Sequence, residues 1–397
     1  MSEAQTRLRS SGNVRTKADV TRHGPVDQEM QAYLRDGEAR ALALPNRGPI
    51  RFDDAGRLAQ DIVDSYYEYG FYVFKHVLSA EELADIEADV IDILDRLPVE
   101  QGSPVDAKGR PALAAGCQAP TLFWAKPLSD PFGGTDQAAG RHPVKMSEPE
   151  PPKDAPKEIV YLILGSLQFS EACLRVYAHP QLLKVAATIN GDDFMPFTEA
   201  IFIKKPGQGA SVAWHQDGVT HWDSPNWDPN CHGFNFMAQL YGCTAANAVW
   251  IVPGSHKLGR IDIGAKAAQA RSDRLPDAVP MICDPGDVVI SNRQCLHGSF
   301  ANTSSDWRVT INFGFHRRAS VLGVTSGGLH NARAHYDEER IRERSRLIGY
   351  AISARQQRFP KETPFIYKPH ADAGEYFEWK PEMMSQLKDY NLLDMGI

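Results

Sequence analysis

No long apolar run occurs in this sequence. The most apolar stretch, around residues 159–164, is far shorter than the roughly 20 residues a membrane-spanning helix needs. Paired cysteines are also missing. The six cysteines, Cys117, Cys173, Cys231, Cys243, Cys283 and Cys295, are scattered with no Cys-x-x-Cys, which argues against a disulfide framework and for free thiols in a reducing compartment. Positive charge is not in excess. The formal net charge is −7, so neither nucleic acid nor an anionic membrane is an expected partner. Residues 1–24 lack the apolar segment of a secretory signal, and a cytoplasmic protein is expected. No Gly-x-Ser-x-Gly and no phosphate-binding glycine loop is present, which removes the common hydrolase and nucleotide-binding readings.

What is present divides along the chain. Residues 1–50 are charged and poor in aromatics, and read as a flexible or peripheral arm. An aromatic run over 66–74 reads as strand-like after a helical lead-in. Ser79-Ala80-Glu81-Glu82 is a capping-box pattern, followed by Leu83, Ile86, Val90, Ile93, Leu94 and Leu97 at helical spacing. Residues 100–157 are rich in Gly, Pro and Ala and read as an insertion, either disordered or a lid. A second helical stretch covers about 167–190. Between 197 and 315, short β-prone runs alternate with Pro-Gly turns, which predicts a jelly roll, a mainly β fold with flanking helices. The expected organisation is an arm over 1–50, one domain over 51–320 carrying the lid-like insertion, and a helical extension over 321–397 packed on that domain. The extension is a candidate homo-oligomer contact. Its Arg340, Arg342, Arg344 and Arg346, interleaved with acids, read as a salt-bridged exposed face.

Oxygen-activating iron(II) sites use two histidines and one carboxylate on one face, leaving open positions for cosubstrate and O2. On an extended strand residues i and i+2 point the same way, so a His-x-Asp tripeptide offers two ligands to one ion. Four occur: His215-Gln216-Asp217, His221-Trp222-Asp223, His335-Tyr336-Asp337 and His370-Ala371-Asp372. Asp337 reads better as a first-turn helix acid, and His370 lies in the tail. His215 follows a β-prone run and a Pro-Gly turn at the mouth of the expected barrel and is favoured, with His221 as the alternative. His297, after the β-prone run 286–290, is the candidate third ligand. By itself it reads equally well as a core histidine.

The following strand supports His297. Arg308, Thr310, Asn312 and Gly314 alternate with Val309, Ile311 and Phe313, so the polar set shares one face. An inward-facing arginine in a barrel is costly unless it meets an anion, and a guanidinium clamps a carboxylate in bidentate fashion. The 2-oxoglutarate cosubstrate supplies such a carboxylate. A buried Asp or Glu is the competing partner.

Together, His215-Gln216-Asp217, Val252-Pro253-Gly254-Ser255-His256-Lys257, His297-Gly298-Ser299 and Arg308 resemble the phytanoyl-CoA dioxygenase family of iron/2-oxoglutarate oxygenases. The resemblance covers about 60–320 and is strongest over 197–316. It implies a double-stranded β-helix (cupin-like) core, with Fe(II) held by His215, Asp217 and His297. It also implies 2-oxoglutarate against Arg308, with Ser299 and Thr310 nearby, and O2 as the oxidant. A tryptophan common near the cosubstrate is replaced, with Phe236 at the corresponding place, and Ala246-Asn247-Ala248 departs from an Asn-Gly common in the family. Related halogenases carry a small residue where Asp217 stands, so hydroxylation, desaturation or ring formation is implied and halogenation is not.

The implied activity is a dioxygenase that oxidises a small organic metabolite, hydroxylation first, releasing succinate and CO2. Two alternatives stand beside it: a cupin-type metalloenzyme that does not use 2-oxoglutarate, and a non-catalytic small-molecule-binding barrel. Trp214, His221, Trp222 and Trp227 crowd the first ligands and are candidate substrate contacts, as is Lys126 at the start of the insertion. His232, Phe234, Trp124, Arg141, His142 and Lys145 are weaker candidates, the basic ones for an acidic substrate.

Overall fold

A computed structural model describes residues 28–217, 228–327 and 333–395. Helix α1 (Gln28–Ala43) leads to strand β1 (Arg47–Gly48). Helix α2 (Gln60–Tyr69) precedes strand β2 (Phe71–Phe74), so Tyr66, Tyr67 and Tyr69 are helical rather than strand. Gly70, left-handed at φ 79°, ends the helix, and only the residues beyond it can extend. Helix α3 (Ala80–Asp95) starts at the expected capping box. Ser79 accepts from the Glu82 backbone, and the Glu82 carboxylate accepts from the Ser79 backbone.

The insertion contributes β3 (Leu122–Ala125), after which come β4 (Ile159–Leu164), α4 (Glu171–Tyr177) and α5 (Pro180–Asn190). The single helix expected over 167–190 is two, because Pro180 opens a new first turn where its missing N–H costs nothing. Then follow β5 (Met195–Lys204), β6 (Val212–His215), β7 (Gly233–Gln239), β8 (Trp250–Ile251), α6 (Ile263–Ala270), β9 (Val279–Pro280), β10 (Val288–Asn292), β11 (His297–Ser299) and β12 (Arg308–His316). Helices α7 (Glu338–Arg358) and α8 (Lys368–Asp372) follow near the C-terminus.

Two sheets make the jelly roll. One runs β1-β2-β10-β7-β12-β5-β4-β3 and the other β6-β11-β8-β9. Pleat alternation gives each strand one face toward the cavity between the sheets and one toward an outer core. On β12, Val309, Ile311 and Phe313 join Ile201, Ile203, Phe234 and Phe236 in the main core, against helices α2 to α5 and α7. A second core behind the smaller sheet gathers Trp214, Trp250 and Leu296 with Ala41 of α1. Tyr33 of α1 stacks on Trp250 at 4.6 Å.

The arginines of α7 do not all lie on an exposed face. Arg344 is buried and pairs with Glu199 of β5 (3.0 Å) and with Asp394 (2.9 Å) near the C-terminus. An arginine at 3% exposure holds its charge only because two carboxylates from distant chain segments surround it. All six cysteines are free thiols, and no helix among the described residues is long and apolar enough to cross a membrane.

Candidate metal centre and its cavity

The cavity between the sheets is about 110 Å³. His215 ends β6 and His297 begins β11, and the two are direct partners across this antiparallel pair. Their rings lie 4.2 Å apart between centroids. Asp217, two residues past His215, puts Oδ1 3.4 Å from His215 Nε2 and Oδ2 3.9 Å from His297 Nε2. One donor atom from each of the three residues lies within 4.8 Å of the other two.

The surroundings fix these side chains. His215 Nδ1 is 2.8 Å from the Ala213 carbonyl and His297 Nδ1 is 3.0 Å from the Cys295 carbonyl. Each Nδ1–H therefore donates to backbone, leaving the Nε2 lone pair aimed at the centre. Burial, then His215, lowers the His297 pKa to about 4, so its ring is neutral and ready to ligate. Burial acts to raise the Asp217 pKa, but His297, His215 and Arg293 outweigh it and hold the carboxylate well below its usual range. Asp217 Oδ2 accepts from Asn235 Nδ2 at 2.9 Å, with Arg293 Nε 3.8 Å away. Asp217 Oδ1 is buried with no hydrogen-bond partner. An ionised buried oxygen without a donor, beside two free imidazole nitrogens, suits a divalent cation.

Sequence neighbours hold the frame. Gln216 points away and ties to the carbonyls of Gly259 and Gln294 and to the Ile261 N–H. In Pro253-Gly254-Ser255-His256, the Ser255 hydroxyl accepts the Leu296 N–H, one residue before His297, and His256 bonds the Tyr67 carbonyl. That motif is structural here.

Elsewhere on the cavity wall stand Arg308, Thr310 and Asn312, as their alternation predicts, with Ser299 from the facing sheet. Arg308 is 1% exposed, and Nη1 donates to the Asn247 carbonyl at 3.0 Å while Nε has no partner. Among the described residues it meets no carboxylate, so the competing Asp or Glu partner is absent there. Burial lowers its pKa to about 10, which still leaves it charged at neutral pH. Its register partner Lys204 is pushed well below the usual lysine value by burial and then by Arg308, and donates to the Phe300 carbonyl. Thr310 donates to Gln239 Oε1.

Other expected contacts lie elsewhere. Phe236 faces the outer core against Phe234 and Phe313, and its neighbours Asn235 and Met237 face the cavity. Trp214 alternates with His215 and is buried in the second core, with its indole N–H on the Asp273 carbonyl. Phe234 is core, and His232 is fully buried outside the cavity lining. Lys126 is exposed and Trp124 packs against the main core, both outside the cavity. His221, Trp222 and Trp227 lie outside the described residues. Of the other His-x-Asp tripeptides, Asp337 caps α7 through the Arg340 N–H, and His370 is held by Glu375 and the Ser345 carbonyl.

Two residues from the insertion do reach the cavity. His142 lies between Phe132 (5.4 Å) and His215 (4.5 Å), and Arg141 lines the wall beside it. Arg293, Asn235 and Tyr161 were not singled out from the sequence. Strand alternation on β7 carried the signal for Asn235, and nothing local marks Arg293.

Among solved structures, this chain is similar to EctD from S. alaskensis with 2-oxoglutarate and 5-hydroxyectoine (17% identity, 69% of this chain and 81% of that one, TM-score 0.46). It is also similar to AviO1 from Streptomyces viridochromogenes (19%, 67% and 96%, TM-score 0.43). Phytanoyl-CoA dioxygenase 1 from Oryza sativa subsp. japonica is 33% identical over 110 residues, covering 25% of this chain. The chain spans 37% of that relative's length. The profile of the phytanoyl-CoA dioxygenase (PhyH) family matches residues 66–310, well over half of the sequence, and the chain belongs to that family.

Proposed function

We propose that this chain is an Fe(II)/2-oxoglutarate dioxygenase that oxidises a small organic metabolite, most simply by hydroxylation, with release of succinate and CO2. In this reading His215, Asp217 and His297 hold the iron, and Arg308 receives the distal carboxylate of 2-oxoglutarate, helped by Ser299 and Thr310. The observation that carries it is the pairing, in one cavity, of an orphaned Asp217 oxygen between two imidazoles with a buried Arg308 that has no acid partner among the described residues. Bound iron would supply the oxygen activation. The chain's own part is to orient. The carbonyls of Ala213 and Cys295 set the imidazoles, Asn235 fixes the carboxylate plane, and the Asn247 carbonyl holds the guanidinium. The apolar walls keep water from the reacting centre.

A cupin-type enzyme that does not use 2-oxoglutarate has no use for Arg308, and a mere binding barrel has no use for three convergent ligands. Desaturation and ring formation use the same residues. Residues 100–157 act as the lid in this reading, and residues 321–397 brace the domain. The test is iron-dependent formation of succinate from 2-oxoglutarate by the full chain, compared with Arg308→Gln. Succinate that appears only with iron, and a KM for 2-oxoglutarate raised on the order of 30-fold or more in the variant, is expected from losing one partner of a buried charge pair. No keto-acid consumption under any condition sinks the reading.

A further inference from the structure

The cavity has a second cationic corner that the iron and 2-oxoglutarate reading leaves unused. Ala138, Ala139 and Gly140 are all left-handed (φ 53°, 54° and 69°), a conformation alanine rarely adopts. That turn delivers Arg141 to the cavity wall. The Arg141 backbone N–H and Nε both donate to the Ala138 carbonyl, at 3.2 and 2.9 Å, which fixes the base of the guanidinium. Nη1 is buried with no hydrogen-bond partner, and among the described residues Arg141 makes no close ion pair, although it feels the charge of Asp217. His142 Nδ1 and the Tyr161 hydroxyl, also in the cavity, are buried without partners. The other basic residue of this segment is committed: Lys145 donates to the Asp130 carbonyl and pairs with Glu148. The wall between is apolar, formed by Phe123, Phe132, Leu162 and Phe202.

Charge decides what fits there. A divalent ion with Asp217, dianionic 2-oxoglutarate, Arg308 and the buried Arg293 beside Asp217 carries a net charge of +1. Arg141 adds a further positive charge in a water-poor cavity, and an anionic substrate offsets it. A planar carboxylate matches the guanidinium fork in bidentate fashion.

We propose that Arg141 is a specificity-determining residue that binds the carboxylate of an organic-acid substrate, with the apolar body of that substrate lying along the phenylalanine wall. This rests on the dioxygenase reading and names its substrate class.

The experiment measures calorimetric binding of 3-phenylpropionate and hexanoate, and of their uncharged amides, without oxygen. The full chain is loaded with iron and saturated with 2-oxoglutarate. Wild type, Arg141→Lys, Arg141→Gln and Arg308→Gln are compared, and 2-oxoglutarate affinity is measured separately for each. The expected result is acids bound at least ten-fold tighter than amides by wild type. That preference shrinks in Arg141→Lys and disappears in Arg141→Gln, whose affinity for 2-oxoglutarate stays within two-fold of wild type. Acids and amides that behave alike in wild type overturn the proposal. So does a preference that survives Arg141→Gln or tracks Arg308 instead. Failure of 2-oxoglutarate to bind at all, with the Arg141-dependent acid preference intact, defeats the cosubstrate reading and leaves the anion site standing.

Discussion

His297 stands directly opposite His215 across the antiparallel pair of β11 and β6, so a single register fixes both imidazoles at once. A one-residue slip turns one of them to the outer core. Gly298, next to His297, packs its backbone against β6. A Cβ there would sit 3.0 Å from the Val212 carbonyl oxygen and 3.2 Å from the Trp214 ring.

The first prediction follows from that pair and Asp217. His215→Ala, His297→Ala and Asp217→Ala should each lower retained iron by more than the roughly 10- to 100-fold that loss of a group hydrogen-bonded behind a ligand costs. Far-ultraviolet circular dichroism should be unchanged, because the three side chains face a cavity rather than the packed core. Metal analysis of the purified variants decides it, and full iron retention in all three rejects the assignment.

Outer support of Asp217 gives a second. Asn235→Ala removes the 2.9 Å donor to Oδ2, and Arg293→Met removes the neighbouring guanidinium, which stacks on Phe197 at 3.7 Å and contacts His316. Each should weaken metal binding by about 10- to 100-fold. In Asn235→Ala, 2-oxoglutarate affinity measured at saturating metal should stay near wild type. A metal titration unchanged in both variants counts against any supporting role.

Stability provides a third. Arg344→Ala leaves Glu199 and Asp394 buried without their shared cation. The expected cost is about 3–5 kcal/mol in denaturant unfolding. A loss under 1 kcal/mol means the C-terminal segment is not held by this triad.

Acid should destabilise the protein before neutral carboxylates matter. His179 is buried, and burial, then Arg355, lowers its pKa to about 4 from 6.5. Between those values the unfolded chain binds a proton that the folded chain refuses, so stability falls as pH drops from 6.5 toward 4, by at most about 1.4 kcal/mol per pH unit. Glu82 adds to this at lower pH. Burial acts to raise its pKa, but Arg355 and His179 lower it on balance, so its contribution is lost as pH falls through that depressed value. His179→Asn should flatten the slope between pH 6.5 and 4 in thermal unfolding. An unaltered slope excludes His179 as its source.

Much of the site was legible because β structure writes its faces into the sequence with period two. The alternation of Arg308, Thr310 and Asn312 with Val309, Ile311 and Phe313 is the one the strand displays. The same rule contained two corrections. Trp214 next to His215, and Phe236 between Asn235 and Met237, had to point away from the cavity, and composition around the ligands was a poorer guide than parity. Arg344 was misread for a different reason. Charges at helical spacing look like a solvated face, and its partners Glu199 and Asp394 are 145 and 50 residues distant.

By itself the sequence determined the jelly-roll class and singled out His215, Asp217, His297 and Arg308, since each depends on local spacing along strands. Only the tertiary structure decided that a left-handed turn in a Gly- and Pro-rich insertion carries Arg141 and His142 into the cavity beside His215, and that Arg293 stands behind Asp217. Those placements come from contacts between segments far apart in the chain, whose geometry is set by how the sheets and the insertion pack, and no local periodicity encodes that.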